Sequence, residues 1–166
     1  MKVWISTVGW SSFAVINPLW AACFLEEEKF IPDKVILLNN QDQNEIVKAN
    51  YKIVESWVKT ILIEYGIENP IINSVEANEN NMKEYFETFK MVYEEHEKDN
   101  VAIDMTPGRK FMSGIAMWLA SQPNSNIEKL YYLQLWGQEY QNLPFIKIPL
   151  IKQKLINVKG LMRKDD

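Results

Sequence analysis

The sequence predicts an α/β fold of Rossmann-like, three-layer type, with about six strands that run mostly parallel and an antiparallel last strand. Three observations carry this expectation. Short apolar runs alternate with longer helix-patterned stretches from the first residue to about position 122. Four such strand-helix units in a row imply a parallel sheet covered on both faces. A final pair of apolar runs is joined by residues 137–143, too short a link for a crossover helix, so that pair should be antiparallel.

The elements follow in order. Residues 2–8, containing Val3, Trp4, Ile5 and Val8, form the first strand, and Ser11 or Ser12 can cap a helix running through Leu25. Residues 34–39 are the second strand. Between 43 and 65 the positions Ile46, Val47, Tyr51, Val54, Trp57, Val58, Ile61, Leu62 and Tyr65 recur at helical spacing, with Gly66 as the stop. Residues 70–75 give a third, weaker strand. Met82, Tyr85, Phe86, Phe89, Val92 and Tyr93 form the stripe of the next helix. Residues 100–105 are the fourth strand, Pro107-Gly108 a turn, and Arg109 to about Ser121 a helix. Residues 130–136 and 144–149 complete the strands. One domain is therefore expected over 1–149, with 150–166 as a short charged C-terminal tail or helix.

Composition narrows the function. A chain of 166 residues, 47% apolar, holds enough material for one core. Its net charge of -4 and its pI near 5.2 argue against a long nucleic acid as partner, which needs a broad basic surface, so an anionic ligand should be compact and held locally. Cys23 is the single cysteine, so a cysteine metal site is not expected and a reducing, cytoplasmic setting is. Met1-Lys2 leads straight into a strand, so a secretory segment is not expected, and no apolar run approaches the roughly 20 residues that span a bilayer, so a membrane span is not expected either.

In a sheet of this kind the first strand lies beside the fourth, the chain winds in opposite directions on either side, and ligands sit beyond the carboxyl ends of those two strands. Here those ends are Gly9-Trp10-Ser11-Ser12 and Thr106-Pro107-Gly108-Arg109-Lys110. Glycine allows close backbone approach, and a serine can donate to a phosphate or orient a ribose hydroxyl, although Ser11 and Ser12 could equally just cap the helix. In the second loop Thr106, Arg109, Lys110 and Ser113 bring hydroxyls and cations to a helix start whose free amides favour anions. Arginine and lysine oppose the positive end of a helix dipole, so placing both there predicts an anion beside them. Neither G-x-G-x-x-G nor G-x-x-x-x-G-K-[ST] occurs.

The remaining polar residues are weaker signals. His96, the sole histidine, reads as structural, and no Asp/Glu/His grouping has metal-ligand spacing, so no metal is expected. Asp104 reads as bonded to its own turn. Trp136, Gln138 and Tyr140 after the fifth strand, and Asn39, Asn40 and Gln41 after the second, could stack on or read a base, or be ordinary turn residues.

Together, Gly9-Trp10-Ser11-Ser12 and Asp104-Met105-Thr106-Pro107-Gly108-Arg109-Lys110-Phe111-Met112-Ser113 resemble the paired motifs of the CARF family, the CRISPR-associated Rossmann-fold domains that bind cyclic oligoadenylates. Trp10, Pro107 and Arg109 depart from the small polar residue, glycine and threonine usual there. A HEPN ribonuclease partner would need an arginine shortly before a histidine, which His96 lacks, and residues 150–166 are too few for a winged-helix or nuclease domain. What remains resembles a stand-alone CARF protein of the ring nuclease type, which cleaves the second messenger and switches off type III CRISPR signalling.

The resemblance implies that Ser11 orients an attacking ribose 2′-hydroxyl and that Lys110 stabilises the pentavalent phosphorane. It implies ligand contacts from Gly9, Trp10, Ser12, Thr106, Pro107, Gly108, Arg109 and Ser113; Asn39 and Gln138, at the same carboxyl edge by the order of the strands, are expected as further contacts. It implies no cofactor, a homodimer around a two-fold symmetric ring, and cyclic tetra-adenylate as the favoured ligand. The alternatives are a non-hydrolytic sensor of the same ring and a Rossmann-like mononucleotide binder.

Overall fold

A computed structural model describes residues 1–40 and 45–162. The strands are β1 (Lys2–Thr7), β2 (Lys34–Asn39), β3 (Ile71–Glu76), β4 (Asn100–Asp104), β5 (Ile127–Leu135) and β6 (Gln153–Asn157). The helices are α1 (Ser12–Phe24), α2 (Glu45–Glu64), α3 (Met82–Glu94), α4 (Lys110–Ser121) and α5 (Val158–Met162). One sheet of order β3-β2-β1-β4-β5-β6 results, parallel throughout except for the β5–β6 pair. The fold is α/β and Rossmann-like, as the alternation of runs predicted.

Strand alternation divides the core between two faces. Val3 and Ile5 of β1, with Ile36, Leu38, Val101 and Ile103, pack under Tyr85, Phe89 and Val92 of α3 and Met112, Ile115 and Leu119 of α4. Trp4, Val35, Leu37, Ala102 and Tyr131 face the other way, against Val15, Ile16 and Leu19 of α1 and Val54, Val58 and Leu62 of α2. Because α1 and α2 lie on one face and α3 and α4 on the other, the winding reverses between β1 and β4. That reversal leaves a crevice at the carboxyl ends of the two strands.

The chain departs from expectation after β5. Residues 144–149 are not a strand: Phe145–Lys147 and Leu150–Lys152 are single 3-10 turns. Proline at 144 and 149 withholds two ladder donors, and burial of Phe145 and Ile148, three apart, follows the 3-10 period rather than strand alternation. Asn17 Oδ1 accepts from the Phe145 amide at 2.8 Å, and Gln153 Nε2 donates to the carbonyls of Phe145 and Ile148 at 3.2 and 2.9 Å. The sheet's last strand is instead Gln153–Asn157, so residues beyond 149 continue the domain through β6 and α5. The expected helix start at Gln43 lies outside the described residues.

Candidate anion-binding cleft at the switch point

Two polar loops meet where the winding reverses. β1 hands over to the first loop at Thr7, whose Oγ1 lies 2.5 Å from the buried Tyr85 hydroxyl. The Val8 amide extends the ladder to the Leu38 carbonyl at 2.7 Å. Asn50 of α2 then clamps the turn: its Nδ2 donates to the Gly9 carbonyl at 3.0 Å and its Oδ1 accepts from Ser12 Oγ at 2.9 Å. Ser12 is thereby occupied. Ser11 has N-cap backbone geometry, φ -116° and ψ 114°, but its side chain makes no cap hydrogen bond. Of the two serines, Ser11 keeps a hydroxyl free for a ligand.

The second loop is built on Asp104. Its buried carboxyl accepts from Ser6 Oγ and from the Thr106 amide, each at 2.9 Å. Burial pushes its pKa up to about 7, against the opposing pull of the hydrogen bonds from Thr106 and Ser6. Thr106 Oγ1 accepts from the Leu133 amide at 2.9 Å, and its hydroxyl also bonds the Asp104 carboxyl, which together fix the side chain. Ser113 Oγ donates to the Met105 carbonyl at 2.9 Å, so it braces the turn from inside.

Glycine is required on one side of the join, at Gly108. A Cβ on Gly9 would stand 3.7 Å from the Gly108 nitrogen and 3.8 Å from its Cα, so the two loops are in contact backbone to backbone. Gly108 has φ +91°, which L side chains rarely adopt, and a Cβ there would stand 2.7 Å from Met112 Sδ.

The cations behave differently from each other. Arg109 Nη2 reaches Glu79 Oε1 at 3.6 Å and Asn80 Oδ1 at 3.3 Å, both on the loop after β3. The anion that the dipole argument demanded is thus supplied, for Arg109, by the chain itself. Lys110 is exposed in the first turn of α4 and lines neither of the clefts described next.

Those clefts adjoin. One, of about 280 Å³, is walled by Gly9, Trp10, Ser11, Glu79, Thr106, Pro107, Gly108 and Arg109. The other, of about 300 Å³, is walled by Phe13, Asn17, Tyr132, Leu133, Leu135 and Gln141. Ser11, Ala14 and Thr106 belong to both. The first combines hydroxyls, an arginine and close-approaching backbone; the second offers rings and an amide. A phosphodiester beside a base would find the matching chemistry in that order.

Several expected contacts stand elsewhere. Asn39 is buried, donating to the Leu37 carbonyl at 3.1 Å and to Ser74 Oγ at 2.7 Å. Gln138 is exposed and lines neither cleft; Gln141, one turn on, does. Trp10, 66% exposed, stands at the rim of the cleft that Gly9 lines. Asn40 is buried with neither side-chain polar atom bonded, and Gln41 lies outside the described residues. His96 is at the opposite edge of the sheet. No group of three His, Cys, Asp or Glu suited to a metal ion occurs among the described residues, and no described helix is long and apolar enough to cross a membrane.

Sequence reasoning missed Glu79, Asn50 and Gln141. Glu79 carried a usable signal, since it follows the third strand and so reaches the same carboxyl edge as the two loops. Its charge, after the larger effect of burial and opposed by the Thr7 hydrogen bond, helps hold the Tyr85 phenol above its usual range, which puts it near the base of the first loop.

No protein-family model matches the chain, and no curated protein does. Among solved structures, the fold is similar to that of Enterococcus italicus Csm6 bound to cyclic hexa-2′-fluoro-hexa-dAMP, with a TM-score of 0.57 and 17% identity over 97% of this chain. The chain spans 42% of that protein's length, and the likeness at this identity is one of fold.

Proposed function

We propose that the chain binds a cyclic oligoadenylate at this carboxyl edge and cleaves it as a ring nuclease, with cyclic tetra-adenylate as the favoured ring. The observation that carries the reading is Ser11, whose side chain makes no cap bond, standing with Thr106 on the shared wall of two adjoining clefts at the switch point. That the similar protein, Csm6, is bound to cyclic hexa-2′-fluoro-hexa-dAMP supports the ligand class.

In this reading Ser11 orients a ribose whose 2′-hydroxyl attacks the adjacent phosphorus. The O2′–P bond forms as the P–O5′ bond breaks. Solvent takes the hydroxyl proton and returns one to the departing 5′ oxygen, leaving linear products with 2′,3′-cyclic phosphate ends. Positioning and charge stabilisation supply the rate, with Lys110 swinging in over the phosphorane and Thr106 and Gly108 holding phosphate oxygens. A two-fold dimer would surround the ring with two copies of each loop. Light scattering with ligand present should give the mass of two chains; a monomer would overturn the dimer.

The exposed position of Lys110, outside both clefts, favours a second reading in which the ring is bound without turnover. Chromatography of radiolabelled cyclic tetra- and hexa-adenylate, incubated with protein and a chelator, separates the readings. Conversion to linear di-adenylate or tri-adenylate with cyclic phosphate ends, slowed at least about tenfold in Lys110→Ala, is the expected result. Binding without product would establish the sensor instead. Full turnover in Lys110→Ala would remove that lysine from catalysis, and failure to bind any ring while binding AMP would turn the site into a mononucleotide pocket.

A further inference from the structure

Glu79 is the one carboxylate on the wall of the cleft that Gly9 and Gly108 line, and its residue is only 9% exposed. Its loop is held in place by local bonds: the Asn80 amide donates to Asn78 Oδ1 at 3.0 Å, and Asn81 Oδ1 caps α3 through the Glu84 amide at 3.2 Å. The single Arg109 contact, at 3.6 Å from a guanidinium whose side chain is 52% exposed, leaves most of the carboxylate's acceptor capacity unused. A carboxylate in a cleft meant for phosphate repels the ligand, and one that the ligand covers without supplying a donor is costly. Both penalties are offset if the ligand brings a hydroxyl donor along with its phosphate. A phosphodiester cannot do this, whereas a ribose can.

Resting on the function proposed above, we propose that Glu79 is a specificity-determining residue that accepts a hydrogen bond from a ribose 2′-hydroxyl, so that the cleft selects ribonucleotide rings over rings lacking that donor. Arg109 partly neutralises the carboxylate and lets it stand beside the phosphate.

The test is equilibrium binding at 4 °C, before turnover, of cyclic tetra- and hexa-adenylate and of the same rings carrying 2′-fluorine, which cannot donate. Wild type should bind the ribose form about 10- to 100-fold more tightly, the range expected for a hydrogen bond to a charged group. In Glu79→Ala that ratio should fall close to one, and in Glu79→Gln to an intermediate value. Equal binding of both forms by wild type overturns the assignment while leaving the ligand class intact. Parallel weakening of both forms in Glu79→Ala, with the ratio kept, also overturns it and makes Glu79 only a support for Arg109. Binding of neither form by wild type would overturn the underlying function, and this inference with it.

Discussion

The two edges of the sheet both bury polar side chains, but they finish differently. At the amino edge His96 sits between Asp99 Oδ2, 2.8 Å from Nδ1, and Lys34 Nζ, 3.2 Å from Nε2. Lysine can only donate, so Nε2 accepts and Nδ1 carries the proton to Asp99, whose carboxyl this bond holds below its usual range. Asn126 Nδ2 closes the same corner by donating to the carbonyls of His96 and Asp99, each at 2.9 Å. At the carboxyl edge Ser6, Asp104, Thr106, Thr7, Tyr85 and Asn50 also bond to one another or to backbone, yet the network stops short of Ser11. The contrast teaches that a buried histidine with a carboxylate partner marks no site here, because both ring nitrogens are spent. Donor capacity left over on a wall marks a candidate for one.

The largest effect should come from cutting the carboxyl-edge network at its centre. Asp104→Ala leaves Ser6 Oγ and the Thr106 amide without an acceptor in a buried place, a loss of about 2–4 kcal/mol that urea denaturation would read. Ligand binding should fail with it, because Thr106 loses its anchor. A cost under about 1 kcal/mol would mean that the loop is held by Leu133 and Gly108 alone.

The same residue makes stability pH-dependent. Its folded pKa is raised from 3.8 to about 7, so the folded state holds the proton more tightly than the unfolded chain does. Its contribution is therefore fully present below about pH 4, declines as pH rises through about 7 and is flat above that. Thermal melts of wild type should show this decline on top of the other titrations, and Asp104→Asn should remove it. An identical slope in Asp104→Asn would show that the carboxyl titrates normally.

The fold could be read from the sequence because each central strand is apolar on both faces, so its run survives without knowledge of its neighbours. β6 could not: it is an edge strand of Gln153-Lys154-Leu155-Ile156-Asn157, paired on one side only, and its polar letters look like tail. The apolar run at 145–148 drew attention instead, though its burial belongs to a 3-10 turn beneath Asn17. The two loops were legible through topology, which fixes where strand ends lie. The division of labour within them was not, since whether a serine is free depends on acceptors brought from far along the chain, as Asn50 is for Ser12 and the Met105 carbonyl for Ser113. Glu79 was hidden for the same reason: an acid in an Asn-rich turn reads as solvated until Arg109, distant in sequence, is set beside it.

A smaller loss is expected at the amino edge. His96→Ala breaks the bonds to Asp99 and Lys34, but Lys34 can reach water, so the cost should be about 1–2 kcal/mol by denaturation. Ring binding and cleavage should stay at the wild-type level. Any change in cleavage would join the two edges and undo the distinction between them.

The smallest effect on stability should be at the residue proposed to matter most for function. Ser11 has helix-start backbone geometry without a side-chain cap bond, so the usual cost of about 1 kcal/mol for removing a capping serine should not arise. Ser11→Ala should unfold within about 0.5 kcal/mol of wild type, while ring cleavage drops about 10- to 100-fold, the size of losing one positioning hydrogen bond at a reacting centre. The two measurements decide the comparison jointly. If stability falls by a full cap's worth and cleavage is spared, the Ser11 hydroxyl is spent on the helix as the histidine is spent on Asp99, and the carboxyl edge is no more open than the amino edge. If cleavage falls alone, unspent hydrogen-bonding capacity is what separates the working edge from the structural one.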